Sequence, residues 1–528
     1  MNNDIRRIVK FDVHLREELL KGINVLADAV RITMGPKGKN VLIERPGMHP
    51  AVTKDGVTVA QSINLSQQFQ NMGVQILKEA AARTADEAGD GTTTATVLAQ
   101  SIFSEGLKMI SAGHDSVELR HGIDLAVKHV LENLNNMVKT LDTPDELYQV
   151  SLISANGEEE ISRLISNAVE KVGKEGTVTV ENAKGFNSSL SFVEGIKVDR
   201  GFLSPYFVTN QDKMHALLEN CIVLLCDREL ETLKDVMKPL ELALESGKPV
   251  LIVANDISND VMQGLVLNKL KGALKVCGIK SPGFGQERHE MMEDLSVITG
   301  GKVVSTQEDF DAFSFSDFGT CKRVIVKRAA TLFVGTGKQD AMIKERVTAI
   351  LDRLSCEDAD PQEAEFLSYR IRRLTGGIAV LKVGASTEAE LIERKDRVDD
   401  ALNATKAALD EGILPGGGVA LVRAAATLDK IYTADDSTDA GIRIVKNACE
   451  APLRQIVSNA GKSEDLILER VKELSGTHGY NARTEKFGDM MDLGILDPHK
   501  VVRCAIENAA STASMLLSAG AAMVEEKE

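Results

Sequence analysis

The chain changes character twice along its length, and this constrains its fold more than any single motif does. Helix-period, alanine-rich sequence occupies both ends, while short β-rich runs alternating with helical stretches fill the middle. Residues 12–34 and 66–112 carry apolar side chains at helical spacing, among them Leu20, Ile23, Leu26 and Ala27, and these spans predict long helices. Between them Asn40-Val41-Leu42-Ile43-Glu44 predicts a short strand, with Pro46 and Gly47 ending it in a turn. The runs Thr177-Val178-Thr179-Val180, Ile222-Val223-Leu224-Leu225 and Val250-Leu251-Ile252-Val253 predict strands of a mixed α/β domain. From about Glu388 onward the sequence is helical again, broken by Gly416-Gly417-Gly418. Gly195 and Gly376-Gly377 bracket the α/β part and are either hinge points or ordinary turn glycines. A chain of 528 residues exceeds one ordinary core, and typical domain size gives about three domains.

With 43% hydrophobic and 27% charged residues, the chain has enough apolar material for packed interiors and is not a disordered polymer. A formal net charge of −16 disfavours nucleic acid as a partner, because neutralising phosphate backbones takes clustered Lys and Arg. The opening MNNDIRRIVKFDV lacks the apolar centre of a secretion signal, and no apolar run approaches the ~20 residues needed to cross a bilayer. No membrane association and a cytoplasmic location are therefore expected. The seven cysteines, Cys221, Cys226, Cys277, Cys321, Cys356, Cys449 and Cys504, form no CxxC pair and no zinc-type cluster with histidine, which favours reduced, mostly buried thiols.

The most informative segment is Ala88-Gly89-Asp90-Gly91-Thr92-Thr93-Thr94-Ala95-Thr96-Val97, a glycine-acid-glycine turn that feeds hydroxyls into a helix start. Helix starts offer unpaired N–H groups and a positive dipole end to phosphate oxygens, and an aspartate beside them can hold magnesium. Taken alone, a capped helix after a tight turn explains it equally well. Two further glycine loops, Ile32-Thr33-Met34-Gly35-Pro36-Lys37-Gly38 and Thr53-Lys54-Asp55-Gly56-Val57, and the carboxylate pair Asp399-Asp400 shift the balance toward magnesium binding and water activation. There is no Walker A loop: Asn459-Ala460-Gly461-Lys462-Ser463 echoes its end, but Ile456 stands where the first glycine belongs.

Two apolar stretches lie in the α/β part. Thr232 to Glu245 places Leu233, Val236, Met237, Leu240 and Leu244 at helical spacing, the ordinary signature of a core-facing stripe. The span Ser258 to Gly272 spreads Val261, Met262, Leu265, Val266, Leu267 and Leu270 over roughly 240° of a helix. Such a helix is either buried on all sides or keeps apolar surface for another molecule.

Read together, these segments closely resemble the group I chaperonins, the GroEL family, over nearly the whole chain. The match runs from Val25-Leu26-Ala27-Asp28-Ala29-Val30 to Asp492-Leu493-Gly494-Ile495-Leu496-Asp497-Pro498. It includes Glu194-Gly195, Asp199-Arg200-Gly201-Phe202-Leu203-Ser204-Pro205-Tyr206-Phe207, Ser281-Pro282-Gly283-Phe284-Gly285 and Ala451-Pro452-Leu453-Arg454-Gln455-Ile456-Val457. The resemblance implies a mixed α and α/β multidomain chaperonin fold: a mainly helical equatorial ATP-binding domain (1–137 and 412–528), a small intermediate hinge domain (138–194 and 377–411) and an α/β apical substrate-binding domain (195–376).

The same resemblance implies an ATP-dependent chaperone and ATPase. Asp90 would be the magnesium ligand, with Gly91, Thr92, Thr93 and Thr94 around the phosphates; Thr33, Met34, Gly35 and Pro36 would line another side. Lys54 would offer a backbone oxygen near a potassium ion, with Gly56 beside it, while Asp55 and Asp400 would position and activate water. Gly417, Asn481, Ala482, Ile495 and Asp497 would hold the adenosine portion. Non-native proteins, and the mobile loop of a GroES-like co-chaperonin, would bind Phe202, Tyr206, Phe207, Met237, Leu240, Met262, Val266 and Leu267, with Asn268 beside them. Subunits would form seven-membered homo-oligomeric rings, single or stacked in pairs.

Three features depart from the family pattern and mark a divergent member, a specialised paralogue or a viral copy. Met34 replaces a usual leucine, a volume-conserving change. Arg483 stands where a small residue often follows Asn481-Ala482, so its guanidinium would crowd or contact the base. The sequence ends Met523-Val524-Glu525-Glu526-Lys527-Glu528 without Gly-Gly-Met repeats, which implies a less filled cavity floor, with Met523-Val524 pairing a neighbour's strand near Val41-Leu42. A non-folding scaffold has no need of Asp55, Asp90 and Asp400, and a small-molecule phosphotransferase would leave the apolar helices without a task.

Overall fold

A computed structural model describes residues 7–44, 50–141, 143–173, 176–183, 185–210, 214–336, 340–354 and 361–525. The turn expected at Pro46-Gly47, and Cys356, lie outside the described residues. The chain divides into two compact units: one comprises residues 1–170, 182–189 and 382–528, the other 171–181 and 190–381.

The first unit is a helical assembly drawn from both chain ends. The expected helix at 12–34 is Asp12–Arg31, and the apolar span 66–112 forms two helices, Gln68–Ala88 and Thr92–Ser111. Gly89, at φ 76°, ends the first of these in a left-handed turn that glycine adopts without penalty. Ser116–Met137 starts where the Asp115 side chain accepts from the backbone N–H groups of Val117 and Glu118. Pro144–Ser154 starts in a capping box of Thr143 and Glu146. The helices Asp12–Arg31, Gln68–Ala88, Thr92–Ser111 and Ser116–Met137, with Asp436–Ala448 and His499–Leu517, bury one continuous core that includes Leu15, Leu19, Ile23, Leu98, Phe103, Ile123, Ile444 and Ile506. Val150 of Pro144–Ser154 instead packs separately with Ala408, Ile413 and Leu496. Backbones come close at Gly22, where a Cβ would lie 1.9 Å from the carbonyl oxygen of Gln70.

The strand predicted at Asn40–Glu44 is Val41–Ile43, paired antiparallel with Ala51–Thr53. The C-terminal strand Ala521–Glu525 pairs antiparallel with Arg7–Phe11 of the same chain, Met523 opposite Val9 and Val524 opposite Ile8. Met523-Val524 thus has a partner within its own chain along one edge of the strand.

The second unit is built on a nine-stranded mixed sheet. Its centre, Ala216–Leu230, Val250–Ile257 and Val276–Lys280, is parallel, and Val303–Val304 joins the other side of Ala216–Leu230. The run Ile222–Leu225 and its neighbour Val250–Val253 are fully buried, as strands covered on both faces must be. Gly195 lies inside the strand Ser189–Val198, where a Cβ would meet the Phe333 carbonyl oxygen at 2.2 Å, so close packing fixes this glycine and not a turn. Arg370 is buried and paired with both Glu290 and Asp294, tying the helix Pro361–Thr375 to Gly285–Thr299. Among the described residues the free cysteines are buried, and no helix is long and apolar enough to cross a membrane.

Candidate functional site

The first unit encloses a cavity of about 660 Å³, within the range of small-molecule sites. Its lining comes from segments far apart in sequence. Thr33, Met34, Gly35 and Pro36 contribute one wall, Lys54, Asp55 and Gly56 a second, and Asp90 through Thr94 a third. Asp400, Gly417, Asn481, Ala482, Ile495 and Asp497 complete the set of residues singled out in the sequence.

Local chemistry explains the placement. Gly89 and Gly91 both have positive φ, which turns the chain sharply and aims Asp90 and the start of Thr92–Ser111 at the cavity. No side chain caps this helix, so its first N–H groups remain available to a ligand. Gly56 approaches the same helix start so closely that a Cβ would lie 2.3 Å from the Thr93 hydroxyl oxygen. Asp55 caps the helix Gly56–Ser62, accepting from Val57 N–H at 3.0 Å and from Thr58 N–H and hydroxyl at 2.8 and 2.6 Å. The ordinary capping role and a place in the cavity wall therefore coexist at Asp55.

Asp400 sits on the helix Glu388–Glu411, and Asn403, one turn later, donates to the carbonyl of Gly89 at 3.3 Å. That contact brings Asp400 to the acidic turn. The loop Thr33–Gly38 is braced by Asn459, whose amide donates to the carbonyls of Arg31 and Met34, both at 2.9 Å. The segment that echoes a Walker loop thus supports a cavity wall through its asparagine. At the opposite end, Ile413–Pro415 pairs with Leu496–Pro498, setting Gly416 and Gly417 against Asp497.

The electrostatics are those of crowded carboxylates. Burial raises the Asp90 carboxyl above its ordinary range, offset partly by the Gly91 N–H and reinforced by Asp55. Burial raises Asp400 further, with Asp90 and Asp55 adding repulsion. Asp497 is pushed to about 6 by burial and by Asp90. Among the described residues no salt bridge reaches Asp55, Asp90, Asp400 or Asp497. Half-buried carboxylates crowded together without cationic partners favour a bound cation.

Asp497 makes the stability of the fold depend on pH. Its carboxyl titrates near 3.8 when unfolded but near 6 when folded, so ionisation penalises the folded state above about pH 6, and the penalty fades as pH falls toward 3.8. At most about 3 kcal/mol is at stake. Asp497→Asn is expected to raise the thermal unfolding midpoint over the parent at about pH 7.5 and to lose that advantage near pH 4. An equal gain at both pH values would contradict the assignment.

Sequence reasoning missed one whole wall. Tyr148, Gln149, Leu152, Ile153 and Ser154 of the helix Pro144–Ser154 line the cavity, and the Ser154 hydroxyl bonds Asp90. Nothing in their spacing distinguished them from any solvent-facing helix residues.

The second unit holds the apolar residues singled out in the sequence. The stripe at 232–245 does not form one helix: a 3-10 turn, Leu233–Val236, precedes the α-helix Met237–Ser246. The change of pitch at Val236 breaks the expected core-facing phase. Val236 is fully buried and Leu240 partly so, whereas Leu233, Met237 and Leu244 are exposed. On Asn259–Leu270, Val261 and Leu265 are buried, Met262 and Val266 half-buried, and Leu267 and Leu270 are 51% and 67% exposed. The two segments meet where Leu233 covers Gly264, at 2.5 Å from a Cβ position. Of the two arrangements open to this helix, the one with free apolar surface is found.

Phe202 is half-buried, Tyr206 is exposed, and Asn268 turns back to bond the Gly264 carbonyl at 2.8 Å. Phe207 requires a correction: its ring is fully buried in the core under Lys269, so it does not present a surface to a partner. The aromatic content of Tyr206-Phe207 could not separate the exposed ring from the buried one.

Comparison with known proteins agrees with this architecture. The chaperonin gp146 from the bacteriophage EL 2 (Pseudomonas aeruginosa), in a crystal form obtained in the presence of ATP-BeFx, superposes with a TM-score of 0.71 at 22% identity, covering 98% of this chain and 100% of that one. A second crystal form of gp146 gives a TM-score of 0.64 at 22% identity, covering 98% and 99%. The family model of the TCP-1/cpn60 chaperonins matches residues 26–527. With a match over nearly its full length and the same fold, the chain belongs to the TCP-1/cpn60 chaperonin family.

Proposed function

We propose that this protein is an ATP-driven chaperone that holds non-native proteins on apolar surface of its second unit and releases them into a ring cavity when nucleotide binds and is hydrolysed. The observation that carries the reading is the cavity itself, where every residue expected around a nucleotide lines one enclosure. That the related phage chaperonin was crystallised in the presence of ATP-BeFx supports a nucleotide as the occupant.

The triphosphate would lie across the uncapped start of Thr92–Ser111, its oxygens taking the N–H groups and hydroxyls of Thr92, Thr93 and Thr94. Asp90, an oxygen donor in a crowded anionic site, suits a hard divalent cation and would hold magnesium. Bound there, magnesium would neutralise phosphate charge. Lys54 would give its backbone carbonyl to a potassium ion. Asp55 would orient the attacking water, and Asp400 would take its proton as the water oxygen bonds the terminal phosphorus and the bond to the departing diphosphate oxygen breaks. An ionised Asp400 with raised pKa is a stronger proton acceptor than an ordinary carboxylate. Gly417, Asn481, Ala482, Ile495 and Asp497 would enclose the adenosine.

Clients would meet Tyr206, Met237 and Leu267, with Leu240, Met262 and Val266 at the edge, where flexible Met and Leu side chains repack around unrelated partners. Residues 1–137 with 412–528, 138–194 with 377–411, and 195–376 would act as equatorial, intermediate and apical domains. Homo-oligomeric rings of seven, single or paired, with a GroES-like lid, complete the proposal. Its test is steady-state phosphate release from ATP by purified protein, with electron micrographs of the same sample. Magnesium-dependent hydrolysis by ring-shaped particles is expected; monomers without hydrolysis would contradict it.

A further inference from the structure

The turn that follows Tyr480 is held on two sides. The Asn481 side-chain oxygen accepts from the backbone N–H groups of Arg483 and Thr484, at 2.9 and 3.1 Å, which fixes the turn's shape. Glu485 binds Lys37 and Lys462 at 2.5 and 2.7 Å, anchoring the turn beside the Thr33–Pro36 wall. Across the cavity, Arg483 Nη2 donates to the carbonyl of Asn156 at 2.8 Å. Its guanidinium also lies against Gly157, where a Cβ would come within 2.3 Å of Nη1. The next residue, Glu158, accepts from Arg394 Nε and Nη2 at 3.0 and 2.6 Å and from Arg397 Nη1 at 2.5 Å. Both arginines lie on Glu388–Glu411, the helix that carries Asp400.

From this continuous chain of contacts we infer that Arg483 is a positioning residue, a latch from the anchored turn through Asn156-Gly157-Glu158 to the Asp400 helix. It closes the cavity over its occupant and holds Asp400 in place. The inference rests on the nucleotide reading of the cavity and adds to it a role for a residue that departs from the family pattern. A guanidinium suits the task because its planar fork donates to a carbonyl while lying flat on a glycine that leaves room for it; a lysine ammonium offers only a point contact.

The experiment measures release of fluorescently labelled ADP by stopped-flow chase, alongside ATP turnover at saturating ATP, for the parent, Arg483→Ala, Arg483→Lys, Gly157→Ala and the Arg483→Ala/Gly157→Ala double variant. Arg483 is exposed, so its loss leaves the core intact. Release from Arg483→Ala is expected to be about fivefold faster than from the parent, the worth of one hydrogen bond, with slower turnover because Asp400 is held less firmly. Arg483→Lys is expected to recover part of both effects. Gly157→Ala displaces the guanidinium and also strains a backbone held at φ 84°, so it is expected to speed release at least as much, and the double variant should be no worse than Gly157→Ala alone. Unchanged release and turnover in Arg483→Ala, or additive effects in the double variant, would overturn the latch while leaving the nucleotide reading intact. A parent protein that does not bind labelled ADP would overturn both.

Discussion

Replacing Asp400 with alanine is expected to leave ATP affinity within a few-fold of the parent and to slow hydrolysis by about a hundredfold or more, the usual contribution of a positioned general base. The asymmetry follows from geometry. Asp400 reaches the cavity from the helix Glu388–Glu411, while the surfaces expected to grip phosphates and adenosine belong to the segments around Thr33, Asp90, Gly417 and Asn481. Removing the side chain also removes a repulsive neighbour of Asp90, so nucleotide binding has no reason to weaken. Calorimetric titration and a phosphate-release assay on the same preparation check both halves. Normal turnover in Asp400→Ala would show that the proton goes elsewhere.

The second large effect concerns client capture. Met237 and Leu267 are about half exposed, so glutamate at either position leaves the core of the second unit untouched. A carboxylate there must be desolvated whenever an unfolded chain packs against it, a cost large enough to weaken capture about tenfold or more. Met237→Glu and Leu267→Glu are therefore expected to lose binding of a chemically unfolded test protein while keeping parental ATP hydrolysis. The exposed pair makes a cleaner test than Leu240 or Val266, which also pack against the core. Capture that survives both substitutions would place the client surface elsewhere.

Legibility in the sequence followed the range of the forces involved. Local signals sufficed for the helix at Asp12, for the turn at Gly89-Asp90-Gly91 and for the buried strand runs, because periodicity and glycine act within a few residues. Signals failed where the deciding partner is remote. Ser154 bonds Asp90 from a helix whose polar face reads the same toward water or toward a cavity. Phe207 and Tyr206 are adjacent aromatics with opposite fates, separated only by how the 3-10 turn Pro205–Phe207 seats on the sheet. The strand at Ala521–Glu525 found its partner at Arg7–Phe11, a pairing between residues about as far apart in sequence as this chain permits. The sequence shows Arg483 only as a departure from the family pattern beside the base; its contact with Asn156 depends on a loop more than three hundred residues away.

The most direct measurement follows a fluorescent unfolded protein bound to the purified chaperonin as magnesium and ATP are added. If nucleotide binding hides the apolar surface, the bound protein is released or sequestered from competitor within seconds, in the parent and equally in Asp400→Ala, which binds ATP but hydrolyses it slowly. If its exchange with competitor is the same with and without nucleotide, the cavity and the apolar surface work independently, and the proposed cycle is wrong.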